Sequence, residues 1–294
     1  MRTKSFIYVN LAVVLFGFAG LFGKWIDLPS LGITFGRVFF SSIALGIYLA
    51  VTKQSFRLDS RRDLYLLLAS GVLLAAHWWS IFQSIKISTV AIGTITFSAF
   101  PLFVTFLEPL VFHTKLTKKN VIIALVILFG VFVTIPEFSF ENNMFKGIMI
   151  GLISPIAYSI ITMMNKGFTG KYSGSLISFY EQATATVVLL PLALGLHIQP
   201  TLKDIGLLMV FGTLTTAFAH TLFISSLKDI PARLAGVCSS METVYGIIFA
   251  MIFLGEVPSI REVAGGAIIL GAVLYAQLTE EPEDTPEEKC EEAV

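Results

Sequence analysis

The chain has 294 residues, of which 55% are apolar or aromatic and only 14% are charged, against about a quarter charged in an ordinary soluble domain. With a mean hydropathy of +0.81, this excludes a disordered chain, a collagen-like repeat, a disulfide scaffold and nearly every soluble enzyme fold. The 20 basic and 20 acidic residues cancel but are not mixed: the C-terminal TEEPEDTPEEKCEEAV holds eight of the acids, and residues 1–278 keep 19 bases against 12 acids, a net of +7. Such a block reads as a disordered acidic tail, residues 279–294. Cys238 in an apolar run and Cys290 in the tail make no disulfide framework.

A membrane-spanning helix needs about 20 mostly apolar residues. Runs of that kind follow one another along the chain: Ser5–Trp25, Ser30–Thr52, Arg62–Ser84, Ser88–Phe112, Lys118–Ile135, Phe145–Asn165, Ser173–Leu196, Lys203–Ser226, Ala232–Leu254 and Ile260–Leu278. Stretches such as VIIALVILFGVFVTI lack the polar stripe of a soluble amphipathic helix. The first run follows MRTK but is too long for a signal peptide, and nine more come after it, so it reads as an uncleaved helix. With the N-terminus inside, the inner segments hold 14 bases and the outer ends five: Lys24, Lys86, Lys146, Lys203 and Arg261. That excess places both termini in the cytoplasm, in a multi-pass protein of the cell (inner) membrane.

A shift of 141 residues superposes the two halves of the chain. Asp63 meets Asp204, Gly71 meets Gly212, Phe82 meets Phe223, Ala91 meets Ala232, Ser98 meets Ser239 and Gly130 meets Gly271, with no gap from Asp63 to Val133. Five spans per half is an odd number, so the second copy enters the membrane upside down. The expected fold is therefore an all-α integral membrane protein of ten transmembrane helices in two inverted five-helix repeats, 1–138 and 139–278. Inverted repeats are typical of secondary transporters, with the substrate near the midplane between the halves.

Three segments carry a family resemblance. The second half reads METVYGIIFAMIFLGEVPSIREVAGGAIILGAVL where its fourth helix runs into its fifth, with FLGEVP as the hinge. FPLFVTFLEPLVFHTKLTKKNVIIALVILFGVFV holds the same place in the first half, with Lys115 standing where the second half has Glu256. TFGRVFF in the second run looks like an arginine-bearing second helix. Over about residues 5–278 the chain resembles the EamA-type members of the drug/metabolite transporter superfamily. The resemblance implies the ten-helix fold and transport, and for many members export.

Ionisable side chains inside a bilayer cost at least a few kcal/mol and are functional candidates by default. Arg37 has two readings: its fork could meet a substrate carboxylate, or pair with a glutamate of a neighbouring helix, which is the favoured one. Glu181 holds the matching place in the seventh run if GITFGR aligns with LISFYE, making Arg37 and Glu181 twin gates or twin packing locks. Glu242 shares a helical face with Cys238 and Tyr245, and its repeat mate is Pro101, which should break the fourth helix. It suits a proton or a cationic group, or a lock on Arg37 or a serine. His77 opens HWWSIF beside Trp78 and can titrate near neutral pH. His220, with Thr213 and Thr216, marks a polar face of the eighth run. Phe97 lies on the Pro101 face of the fourth run and Tyr158 on the polar face of the sixth. Glu108, at the inner end of the fourth run, is expected to snorkel to the interface.

No GxxxxGK[ST] and no His/Cys cluster at metal-ligand spacing is present, so neither a cofactor nor a metal is expected, and no nucleic acid. Partners would be a small-molecule substrate, the lipid bilayer and protons, with the chain acting as monomer or homodimer. The leading function is a secondary active transporter, exporting a small metabolite such as an amino acid by alternating access. In this scheme His77, Trp78, Phe97, Tyr158, His220 and Tyr245 bind substrate, while Glu242, Arg37 and Glu181 couple or gate. Uptake of a sugar or nucleotide-linked solute is the alternative. From other classes, an integral membrane transferase using His77, His220 and Glu242 would need polar loops longer than these. A non-transporting scaffold has only the acidic tail in its favour.

Overall fold

The computed structural model describes residues 2–113, 115–134, 139 and 141–279. The expected tail thus lies outside the described residues from position 280 onward. No strand occurs among the described residues, and the chain runs as helical rods joined by short turns. In chain order these are α1 Thr3–Trp25, α2 Ser30–Val51, α3 Arg61–Ile87, α4 Val90–Phe112, α5 Lys118–Val133, α6 Asn143–Phe168, α7 Gly174–Gly195, α8 Leu202–Ser226, α9 Ala232–Leu254 and α10 Ile260–Leu278. Eight are long and apolar enough to cross a membrane. That number is of the described residues; α5 has 16 residues and α10 has 19.

Side chains are sorted as the bilayer requires. Val51, Leu110, Leu194 and Ile252 stand on the outside of the bundle, whereas Arg37, His77, Glu181 and His220 are buried within it. A soluble helical bundle would reverse this, since only lipid welcomes an apolar exterior and only the interior can satisfy a charge at membrane depth. The protein is an all-α, multi-pass membrane protein. Several rods start on hydroxyl or amide caps: Ser60, Thr89, Thr117, Asn142 and Ser173 each accept a backbone N–H of their own first turn, satisfying donors the helix cannot satisfy itself.

The two repeats interleave by exchange. α3 packs on α6 as α8 packs on α1; α4 on α6 as α9 on α1; α2 on α8 as α7 on α3. The pairs α2/α7, α4/α9 and α5/α10 each join a helix to its own counterpart. The matched glycines stand at two of these crossings. A Cβ on Gly71 would lie 2.8 Å from the Glu181 carbonyl oxygen, and one on Gly212 would lie 2.7 Å from the Arg37 carbonyl oxygen. Only glycine lets the two backbones approach so closely. Each crossing therefore presses on the residue that carries the buried charge of the neighbouring helix.

Four rods are broken near their middles: α1 at Phe18, α4 at Ser98–Ala99, α6 at Leu152 and α9 at Ser240. The break expected from Pro101 is present but precedes it. Pro101 sits in the first turn of the lower segment of α4, where a missing N–H costs nothing. α9 breaks at the equivalent place with no proline. Here the Thr243 hydroxyl donates to the Thr94 carbonyl at 2.8 Å and also meets the Ser98 hydroxyl, so the two breaks are tied to each other across the α4/α9 contact. α8 stays continuous but winds as a π-helix over Phe211–Phe218.

Candidate transport site

The broken helices converge on an enclosed cavity. It is lined by Phe16 of α1, His77 and Trp78 of α3, Phe97 of α4, Tyr158 of α6, and Ser239 and Glu242 of α9, and has a volume of about 10 Å³, room for roughly one water. Five of the residues expected from sequence, His77, Trp78, Phe97, Tyr158 and Glu242, meet here. The rings form a continuous wall. His77 stacks on Tyr158 at 4.5 Å between centroids and lies 5.4 Å from Phe97, which stacks on Phe100 at 5.5 Å. His77 Nδ1 is held 2.8 Å from the Ser154 hydroxyl, just past the break in α6. Among the described residues no hydrogen bond or ion pair reaches the Glu242 carboxylate.

Arg37 lies behind this wall. Its Nε donates to the Thr216 hydroxyl at 3.0 Å. Its guanidinium carbon stands 3.4 Å from the centroid of the Trp78 ring and 4.2 Å from that of Phe211. Both terminal nitrogens are buried and meet no hydrogen-bond acceptor among the described residues. The expected pairing with a glutamate is therefore not formed. Glu242 interacts with Arg37 only through space, and the cation is held by ring faces, whose quadrupoles attract it without occupying its N–H groups. The π-winding of α8 makes this arrangement possible, because Phe211 and Thr216, five residues apart and joined by a hydrogen bond, both turn toward Arg37. The same winding overturns the polar face expected of Thr213, Thr216 and His220: Thr213 is turned outward and bonds its own helix.

Glu181, in the place matching Arg37, is fully engaged. Its carboxylate accepts from the Ser70 hydroxyl and from His220 Nε2, the latter at 2.8 Å. That bond fixes a proton on Nε2, leaving Nδ1 to face the Tyr158 hydroxyl at 3.4 Å. Glu181 and His220 thus tie α3, α7 and α8 together and touch the cavity only through Tyr158. His220, expected to bind substrate, stands one residue behind the lining.

Two further expectations are corrected. The break at Ser240 separates Cys238 from the face of Glu242, while Tyr245 shares the unbroken segment Met241–Leu254 with Glu242 but is not part of the cavity lining. Tyr245 packs instead over Gly17 of α1, its ring parallel to Phe249 at 6.3 Å. Glu108 does not snorkel. It is 3% exposed and accepts the backbone N–H groups of Ala232 and Arg233 at 2.8 and 3.0 Å, because the start of α9 offers it unpaired donors that the interface would only have hydrated. Phe16, Ser70, Ser154, Phe211 and Ser239 went unread in the sequence. Only Ser239, the repeat mate of Ser98, carried a signal that could have found it.

A multi-pass bundle with broken helices around an enclosed cavity lined by rings and a carboxylate has the architecture of a solute transporter. Comparison with known proteins gives the family. The EamA-like transporter family model matches twice, at residues 3–135 and 145–276, and the chain belongs to that family. It is 21% identical to the uncharacterized transporter YxxF of Bacillus subtilis, over 92% of this chain and 89% of that protein. To the S-adenosylmethionine uptake transporter of Rickettsia prowazekii it is 25% identical, over 84% and 83%. To the pseudopaline exporter CntI of Pseudomonas aeruginosa it is 25% identical, over 86% and 87%. A solved structure titled only as the crystal structure of a protein superposes with a TM-score of 0.74 at 17% identity, covering 95% of this chain and 98% of the other, and has the same fold.

Proposed function

We propose that this membrane transporter moves a small amphipathic zwitterion, an amino acid or an amino-acid derivative, by alternating access through the cavity around Glu242. The observation that carries this reading is a pair of unmet charges: the free fork of Arg37 and the unpartnered carboxylate of Glu242, with aromatic rings between them. A carboxylate matches the guanidinium fork in two hydrogen bonds. An ammonium or other cation matches Glu242, and an apolar or ring-bearing body fits the wall of His77, Trp78, Phe97 and Tyr158. In the proposed frame, repeats 1–138 and 139–278 are inverted, ten helices cross the cell membrane, both termini are cytoplasmic, and residues 279–294 form an acidic tail.

Export is the proposed direction, as in the relative named a pseudopaline exporter. Uptake is a second reading, favoured by the relative named for S-adenosylmethionine, a solute that combines a carboxylate, an ammonium, a sulfonium and a purine ring. Proton coupling in this scheme runs through Glu242, the acid open to the cavity, and not through Glu181, which is tied.

Proteoliposome flux tests the reading. Zwitterionic aromatic amino acids should be carried, and their decarboxylated and deaminated analogues should not. Equal flux of all three would sink the zwitterion assignment. With a proton gradient imposed, Glu242→Gln should lose accumulation while retaining counter-exchange, and unchanged accumulation would remove Glu242 as the proton carrier.

A further inference from the structure

α4 and α9 are held together at both ends, and by the same chemistry. Near the end of α4, Glu108 accepts the N–H groups of Ala232 and Arg233, the first residues of α9. Just past the end of α9, Glu256 accepts the N–H of Val90, the first residue of α4, at 3.3 Å. Each helix thus has first-turn N–H groups met by a carboxylate of the other, α4 in addition to its own Thr89 cap. A carboxylate suits that position because unpaired N–H groups and the helix dipole converge there.

A lysine completes each end. Lys24, in the last turn of α1, lies 3.9 Å from Glu256 and donates to the carbonyl of Ser88, just past α3, at 3.0 Å. Lys166, in the last turn of the counterpart helix α6, donates to the carbonyls of Leu227 and Ile230, just past α8, at 2.8 and 2.7 Å, and its charge acts on Glu108 after that of the nearer Arg233. The two assemblies use equivalent helices, but the carboxylates are not equivalent residues. Under the 141-residue shift, Glu108 matches Phe249 and Glu256 matches Lys115.

We infer that Glu108 with Lys166, and Glu256 with Lys24, are the two gates of the transport cycle, each closing one end of the cavity by capping the opposing helix. In this conformation both caps are formed and the cavity between them is closed. Opening toward one side requires α4 and α9 to separate at that end, which breaks one cap and leaves the other as the hinge. The gates are unequal. Glu108 is buried and takes two N–H groups, whereas the Glu256 and Lys24 side chains are 28% and 26% exposed and Glu256 takes one N–H. The Glu256 end is therefore the one that opens more readily at rest. This assignment rests on the alternating-access reading but not on the identity of the solute.

The test uses the full chain carrying Cys238→Ser, Cys290→Ser and the cavity reporter Ser239→Cys. It is reacted with a membrane-impermeant thiol reagent in right-side-out and in inverted vesicles. Glu256→Gln should speed labelling from the Glu256 end alone, and Glu108→Gln from the opposite end alone, each by roughly 2- to 30-fold, the range expected for loss of a helix cap. Glu108→Asp, which withdraws the carboxylate by one methylene while keeping its charge, should act as Glu108→Gln does in milder form and covers the case in which the amide fails to fold. No gain in any variant, equal gain from both sides, or gain from the wrong side would overturn the gates. One-sided gains in a protein that carries no zwitterion would leave the gates standing and sink the substrate reading alone.

Discussion

Arg37 and Glu181 hold corresponding places in the two repeats, yet their surroundings are opposite in kind. Both are buried on the second helix of their half, and each has a matched glycine, Gly212 or Gly71, pressed against its backbone carbonyl. Glu181 spends its carboxylate on Ser70 and His220. Arg37 makes one hydrogen bond, to Thr216, and keeps the rest of its fork free between two aromatic faces. The difference originates in α8. Its π-segment turns Phe211 and Thr216 toward Arg37, while the corresponding stretch of α3 is ordinary α-helix and presents Ser70 to Glu181. The two copies share a scaffold; local winding leaves one buried charge fully bonded and the fork of the other open. Free N–H groups of a buried cation are costly, and a buried unsatisfied group in a native fold calls for a ligand or a functional account.

Glu181→Ala should break the comparison most severely. It strands His220 and Ser70 inside the bundle, and removing one partner of a buried pair costs about 3–5 kcal/mol. Thermal unfolding of the detergent-solubilised protein measures it, and the double variant Glu181→Leu with His220→Leu should recover much of the loss. An undiminished melting temperature in the single variant would show that Glu181 is no lock.

Arg37→Met should do the reverse. Stability is expected to hold or rise, since an unsatisfied buried cation is replaced by an apolar chain. Flux of a carboxylate-bearing substrate should nevertheless fall by about 30-fold or more, the scale of losing a buried charge-assisted contact. Arg37→Lys should not rescue it, because an ammonium cannot reproduce the fork. Retained flux in either variant would place the carboxylate elsewhere.

A smaller effect is expected at Thr216→Val, which removes the single hydrogen bond that orients Arg37. At about 1 kcal/mol, substrate affinity should weaken severalfold with stability little changed, as read from parallel flux and melting measurements. Least of all should change in Tyr245→Phe. This ring packs on α1 away from the cavity, so flux and melting temperature should stay within about 0.5 kcal/mol of the wild type. A strong transport defect there would return Tyr245 to the substrate path beside Glu242.

The sequence by itself determined the membrane class, the doubling and most of the aromatic wall. These depend on properties that residues carry with them: apolar runs of span length, a repeat offset of 141 residues, and ionisable or aromatic side chains too costly or too large to be placed at random in lipid. His77, Trp78, Phe97, Tyr158 and Glu242 could be picked out one helix at a time for that reason. Only the tertiary structure decided their partners. Whether Arg37 paired with an acid depends on the π-turn of α8, and whether Tyr245 faced the cavity and Glu108 reached water depends on which helix ends and faces pack against them. Pro101 and Pro155 each follow a break within three residues and mark it locally, whereas the breaks at Phe18 and Ser240 have no proline. At Phe18, Ser98–Ala99 and Ser240 the backbone tightens to i→i+3 hydrogen bonds, a change a helix can make at small local cost, so packing against neighbouring helices decides where it happens.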